Sequence, residues 1–157
     1  MTALETSSRI TPFLWFDSNA EEAVDFYLSV FKNSRRIDTV VRQMDDPSGA
    51  KGTVIIIEFV LDGQKFVALN GGPYQKFNEA VSFFVNCDSQ AEIDEYWSKL
   101  TEGGSEIQCG WLRDKFGLCW QVVPTHIRDL IKHPNAVLAM MKMKKLDLAE
   151  LERAASS

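Results

Sequence analysis

Apolar and polar positions alternate with two periods along the chain, and each change of period marks an element. Residues 10–16 form an apolar run that predicts a strand. Asp17-Ser18-Asn19 then offers helix caps, with Glu21 and Glu22 in the first turn. Ala23, Phe26, Tyr27, Val30 and Phe31 recur at helical spacing. Strands are predicted over 35–43 and 53–61, joined by the turn-rich Asp45-Asp46-Pro47-Ser48-Gly49. Asp62-Gly63 signals a hairpin, and 65–70 is the returning strand. Gly71-Gly72-Pro73 breaks the pattern and sets a module boundary.

The order then starts again. Residues 80–86 predict a strand, Asp88-Ser89 caps a helix to about Leu100, and Gly103-Gly104 ends it. Residues 105–111 and 118–123 read as one hairpin around Asp114-Lys115-Phe116-Gly117. Asp17-Ser18-x-Ala20-Glu21 matches Asp88-Ser89-x-Ala91-Glu92, and Phe26-Tyr27 matches Tyr96-Trp97 with a slip of one residue. The shared element order around these matches reads as an internal duplication. From Thr125 the pattern turns helical: Ile127, Leu130 and Ile131, then Val137, Leu138, Met140, Met141 and Met143, then Asp147 capping a helix that holds Leu148 and Leu151. The expected fold is α+β, two tandem βαβββ modules in a curved mixed sheet with an inner cavity, plus C-terminal helices. Module one is 8–73, module two 79–124 and the helical extension 125–155, all within a single domain spanning 1–157.

Strand parity divides the faces. In 53–61 the set Ile55, Ile57, Phe59, Leu61 is wholly apolar and predicts the helix-packed side, leaving Val54, Ile56, Glu58 and Val60 opposite. The same division puts Thr11, Phe13 and Trp15 opposite Ile10, Pro12, Leu14 and Phe16. It puts Ala80, Ser82, Phe84 and Asn86 opposite Val81, Phe83 and Val85. It puts Cys119, Gln121 and Val123 opposite Leu118, Trp120 and Val122. The mixed face reads as an apolar wall with a few polar groups, the usual lining of a small-molecule site.

Composition removes several classes. Of 157 residues, 45% are apolar and 25% charged, which excludes disordered, collagen-like and coiled-coil chains. Seventeen basic against 22 acidic residues give a net charge of -5, which argues against a nucleic-acid partner. No apolar run approaches the roughly 20 residues of a membrane span. The polar stretch 1–9 has no apolar signal core, so the expected location is the cytoplasm, with no membrane partner. Cys87, Cys109 and Cys119 form no CxxC pair, and all three fall in apolar strand-like stretches, so they read as small buried hydrophobes. His126 and His133 are seven apart, not the four that puts two ligands on one helix face.

Several stretches carry a family resemblance. They are Pro12-Phe13-Leu14-Trp15-Phe16, Asn19-Ala20-Glu21-Glu22-Ala23 with Phe26-Tyr27, Phe116-Gly117 through Trp120-Gln121-Val122-Val123-Pro124, and Met141-Lys142-Met143-Lys144-Lys145-Leu146-Asp147. With the tandem modules, they make the chain resemble the vicinal oxygen chelate superfamily, the glyoxalase and bleomycin-resistance fold, and its PhnB-like subgroup. Some of that subgroup carry the description 3-demethylubiquinone methyltransferase, but no strand here leads into a GxGxG-type loop. In metal-dependent members the resemblance implies four ligand positions, which fall here on Thr11, Val67 or Ala68, Ala80, and Gln121. Only Gln121 is a donor, and a weak one, so no metal and no cofactor are expected. This argues against glyoxalase and extradiol dioxygenase chemistry.

The candidate ligand-binding residues are Thr11, Phe13, Trp15, Glu58, Asn70, Ser82 and Gln121; no catalytic residue is assigned. Trp15 and Phe13 suit stacking on a planar ligand or filling a core. Glu58 suits proton transfer if enclosed, and otherwise reads as a rim carboxylate paired with a base. Asn70, before the glycine pair, reads as an anion-holding turn or a plain loop. Arg113-Asp114 reads as a rim ion pair at a hairpin tip. The leading expectation is metal-independent binding of a small molecule. The alternatives are a metal-dependent glyoxalase- or dioxygenase-type enzyme and an antibiotic-sequestering protein. A homodimer is expected because the tail methionines spread over more than one helix face.

Overall fold

The computed structural model describes residues 8–157, so the polar stretch read at 1–9 lies mostly outside the described residues. The chain divides into two compact units between Lys76 and Phe77. The first contains β1 (Phe13–Phe16), α1 (Ala20–Val30), β2 (Arg35–Val41), β3 (Val54–Leu61) and β4 (Gln64–Asn70). Its sheet runs β1-β4-β3-β2, with β1 parallel to β4 and the other pairs antiparallel. Asp62 and Gly63 both take positive φ, 47° and 82°, which gives the tight β3–β4 turn the twist that matches its strands.

Register follows the predicted parity. Leu14, Phe16, Ile57, Phe59, Leu61, Phe66 and Ala68 are buried, as are Ala20, Ala23, Val24 and Tyr27 of α1. Burying each large side chain contributes about 1.5–3 kcal/mol, so this one face holds the helix. Two sequence expectations shift. β1 begins at Phe13, and Ile10 is exposed. Asn19 makes no side-chain cap; the amide oxygen of Asn70 accepts the Ala20 N–H instead, at 2.8 Å.

The second unit contains β5 (Ser82–Cys87), α2 (Gln90–Thr101), β6 (Ser105–Glu106), β7 (Trp111–Arg113) and β8 (Cys119–Pro124). Three tail helices follow: α3 (Ile127–Leu130), α4 (Pro134–Met140) and α5 (Leu148–Ala155). Its sheet runs β5-β8-β7-β6, the order of the first unit. Ser89 Oγ accepts from Glu92 N while Glu92 accepts from Asp88 N, a reciprocal cap on α2.

The single hairpin expected over 105–123 is interrupted. Cys109 and Gly110 take φ of 62° and 81°, and their N–H groups donate to the Met143 and Lys144 carbonyls of the tail. Cys109 therefore lies in a turn, half-buried, while Cys87 and Cys119 are buried as expected. The tail closes on Val123 through Ile127, Leu130, Leu146 and Leu151. Asp147 caps α5 by accepting from Glu150 N at 3.0 Å.

Candidate functional site

The face of the first sheet opposite α1 carries the aromatic candidates. Phe13 aligns with Val67 and Glu58, and Trp15 with Leu69 and Ile56. Thr11 lies half-buried two residues before β1, where strand alternation assigns it to the Phe13 side. Phe13 is 56% exposed, a large apolar ring left open. Trp15 is fixed more firmly: its indole Nε1 donates to the Gly72 carbonyl at 2.9 Å. A β-carbon at Gly71 would overlap the indole, so glycine there lets the ring approach the backbone closely. Glu58 stands on this face with Lys65 Nζ 3.5 Å away, the paired-carboxylate alternative.

The corresponding face of the second sheet also mixes aromatic and polar groups. Phe84, Gln121 and Trp111 align across three strands. Gln121 Nε2 donates to Ser82 Oγ at 2.8 Å, so two candidates form one hydrogen-bonded pair. Arg113, expected to pair with Asp114, binds Glu79 at 2.7 Å. Asp114 is buried; its carboxylate accepts from Phe116 N, Leu118 N and the Trp120 indole N–H.

Asn70 sits on the helix side, away from the aromatic face. Its Oδ1 accepts from Ala20 N, its Nδ2 donates to Val54 O at 3.1 Å, and its carbonyl accepts from the Arg42 guanidinium. Arg42 itself is 3% exposed and went unremarked in the sequence, where it reads as one more residue near a strand end. The Cys87 thiol is pushed up to about 12 by burial, with Glu92 and Asp88 adding to the effect, so it stays protonated and inert near neutral pH. Two surface hollows, about 590 and 430 Å³, lie on the tail, the second lined by Asn135, Leu138, Lys142 and Asp147 among others.

A family model described as 3-demethylubiquinone-9 3-methyltransferase matches residues 8–123. The chain belongs to this family. Among solved structures it is 34% identical to a PhnB protein from Bacillus cereus that carries the same description. That match covers 74% of this chain and 99% of that one, with a TM-score of 0.68. Protein PA1353 from Pseudomonas aeruginosa is 26% identical over 74% of this chain and 96% of that one, with a TM-score of 0.58. The fosfomycin resistance protein FosX from Mesorhizobium loti shares the fold at 10% identity, over 80% of this chain and 98% of that one, with a TM-score of 0.56. No curated protein matches the chain. The family and these neighbours place it in the vicinal oxygen chelate superfamily with a glyoxalase-like fold.

The superfamily's metal does not fit the residues found here. The four implied positions carry a hydroxyl, an aliphatic side chain, a methyl and an amide, and the Gln121 amide already donates to Ser82. Among the described residues, no group of three or more His, Cys, Asp or Glu side chains converges to hold a metal ion. The family description also names methyl transfer. Among the described residues the three strand-to-helix connections, Asp17-Ser18-Asn19, Asp88-Ser89 and Thr125-His126, contain no glycine to bring backbone close to a nucleotide. Among the described residues no helix is long and apolar enough to cross a membrane.

Proposed function

We propose that the chain binds a small, planar, mainly apolar molecule against the open face of its first sheet, without a metal ion or cofactor. The observation that carries this is Trp15. Its indole is tied to the Gly72 carbonyl and lies close against the bare Gly71 backbone, on the same face as the exposed Phe13 ring. A fixed aromatic surface costs little entropy on binding, and Thr11 and the Glu58–Lys65 pair supply polar groups at its margin. Ser82 and Gln121 mark the open face of the second sheet as a polar counterpart. One FosX structure from Listeria monocytogenes holds Mn(II); at 14% identity that relative shares the fold alone.

The reading extends to a cytoplasmic homodimer. Leu138 and Met141, 57% and 58% exposed on the tail, are the surface we assign to subunit contact. Elemental analysis and light scattering on one purified sample test both parts. The expected result is a dimer mass with no stoichiometric Zn, Ni, Fe or Mn. About one such ion per chain would overturn metal-independent binding, and a monomer mass at micromolar concentration would overturn the dimer.

A further inference from the structure

We infer that Arg42 is a positioning residue for the Trp15 ligand surface, acting through the Asn70-Gly71-Gly72 turn. The inference rests on the reading of Trp15 as a ligand seat. Arg42 follows β2, and its guanidinium is buried where the β2–β3 loop meets the end of β4. Nη1 pairs with Asp46 at 3.2 Å, while Nη2 donates to the Ser48 carbonyl at 3.2 Å and to the Asn70 carbonyl. The Asn70 carbonyl carbon is bonded to the nitrogen of Gly71, the residue under the indole. Gly71 N and Gly72 N donate to the Phe16 and Asp17 carbonyls at 2.9 and 3.0 Å, and Gly72 O accepts the Trp15 indole N–H. The guanidinium thus fixes one end of a two-glycine turn whose other contacts hold the aromatic ring.

Two features favour positioning over simple packing. Arg42 Nε is buried with no hydrogen-bond partner among the described residues, a cost that an apolar side chain of similar size would avoid. Gly49 makes room for it, because a β-carbon there would overlap Nε. Glycines at 71 and 72 leave the turn soft unless something outside pins it. The planar fork of arginine reaches the Asp46 carboxylate and two carbonyls at once, a geometry that lysine's single ammonium does not reproduce.

The test reads Trp15 directly. Acrylamide quenching of the Trp15 component is obtained by subtracting the Trp15→Phe spectrum, and coumarin affinity is measured by calorimetry. In Arg42→Lys and Arg42→Gln, Trp15 quenching should rise about two-fold as the ring gains a second rotamer. Coumarin affinity should fall about ten-fold with preorganisation lost, while the far-ultraviolet circular dichroism is retained. Folded Arg42 variants with native Trp15 quenching would overturn the assignment. If the Arg42 variants do not fold, Asp46→Asn on the exposed loop carries the test. It should raise quenching in the same direction, and unchanged quenching would again overturn the assignment. If Trp15→Phe binds coumarin as tightly as the native chain, the ligand seat fails, while the quenching data still decide the role of Arg42.

Discussion

The two units join four strands in the same order and cover one face with one helix, yet they anchor that arrangement with different chemistry. In the first unit the anchor is neutral at its centre: the Asn70 amide caps α1 and holds Val54, and the Arg42 guanidinium closes over its carbonyl. In the second unit the anchor is a buried carboxylate, Asp114, which accepts from two N–H groups of the β7–β8 turn and from the Trp120 indole of β8. α2 needs no such help, because Ser89 and Glu92 cap it locally. The open faces both carry aromatic rings and differ in the group that is tied down: the Trp15 indole, bound to the Gly72 carbonyl, in the first unit, and the Gln121 amide, bound to Ser82 and aligned with Phe84 and Trp111, in the second. One topology therefore tolerates exchange of its polar anchors while the helix-facing apolar set is retained.

That comparison makes its largest prediction at the two anchors. Asp114→Ala removes the carboxylate that accepts from three N–H groups, including the Trp120 indole in the core, and should cost about 3–5 kcal/mol. Asn70→Ala removes a helix cap and one carbonyl bond and should cost about 2 kcal/mol. Urea unfolding of the two variants measures both. An Asn70 variant less stable than the Asp114 variant would reverse the ranking and break the comparison.

The smallest effect lies where the tail meets α2. Gln90 donates to the Leu146 carbonyl and accepts from Leu148 N, and Lys145 pairs with Asp94 at 2.9 Å. The Gln90 amide, then the Lys145 ammonium, hold the Asp94 carboxyl below its ordinary value of 3.8. A depressed carboxylate stabilises the fold above its unfolded value, and that contribution is lost as pH falls through the folded value. Carboxyl NMR should place the Asp94 midpoint below 3.8, and Lys145→Ala should move it upward. Because Asp94 is exposed, salt should weaken the effect. A midpoint unmoved by Lys145→Ala would remove the ammonium from the account.

Most of the fold is legible in period and parity. Ile57, Phe59 and Leu61 announce the helix side by alternation alone, and Asp62-Gly63 announces its turn. What escapes the sequence is long-range and polar. Asn70 capping a helix 50 residues earlier leaves no local signal, and neither does the burial of Arg42 or Asp114. The Cys109-Gly110 interruption is hidden for the same reason, since its N–H groups find their acceptors in the distant tail. Placing Trp15 and Phe13 on the open face needs only alternation, whereas the clamp that holds Trp15 needs the turn at Gly71-Gly72 to be seen in three dimensions.

NMR titration of the full chain with coumarin shows whether a planar ligand rests on the open face of the first sheet. The expected result is saturable shifts centred on the Trp15 indole N–H, with Phe13, Val67 and Leu69 moving alongside it. Shifts centred instead on the tail hollow at Asn135, Leu138, Lys142 and Asp147, or no saturable shift at all, would contradict it.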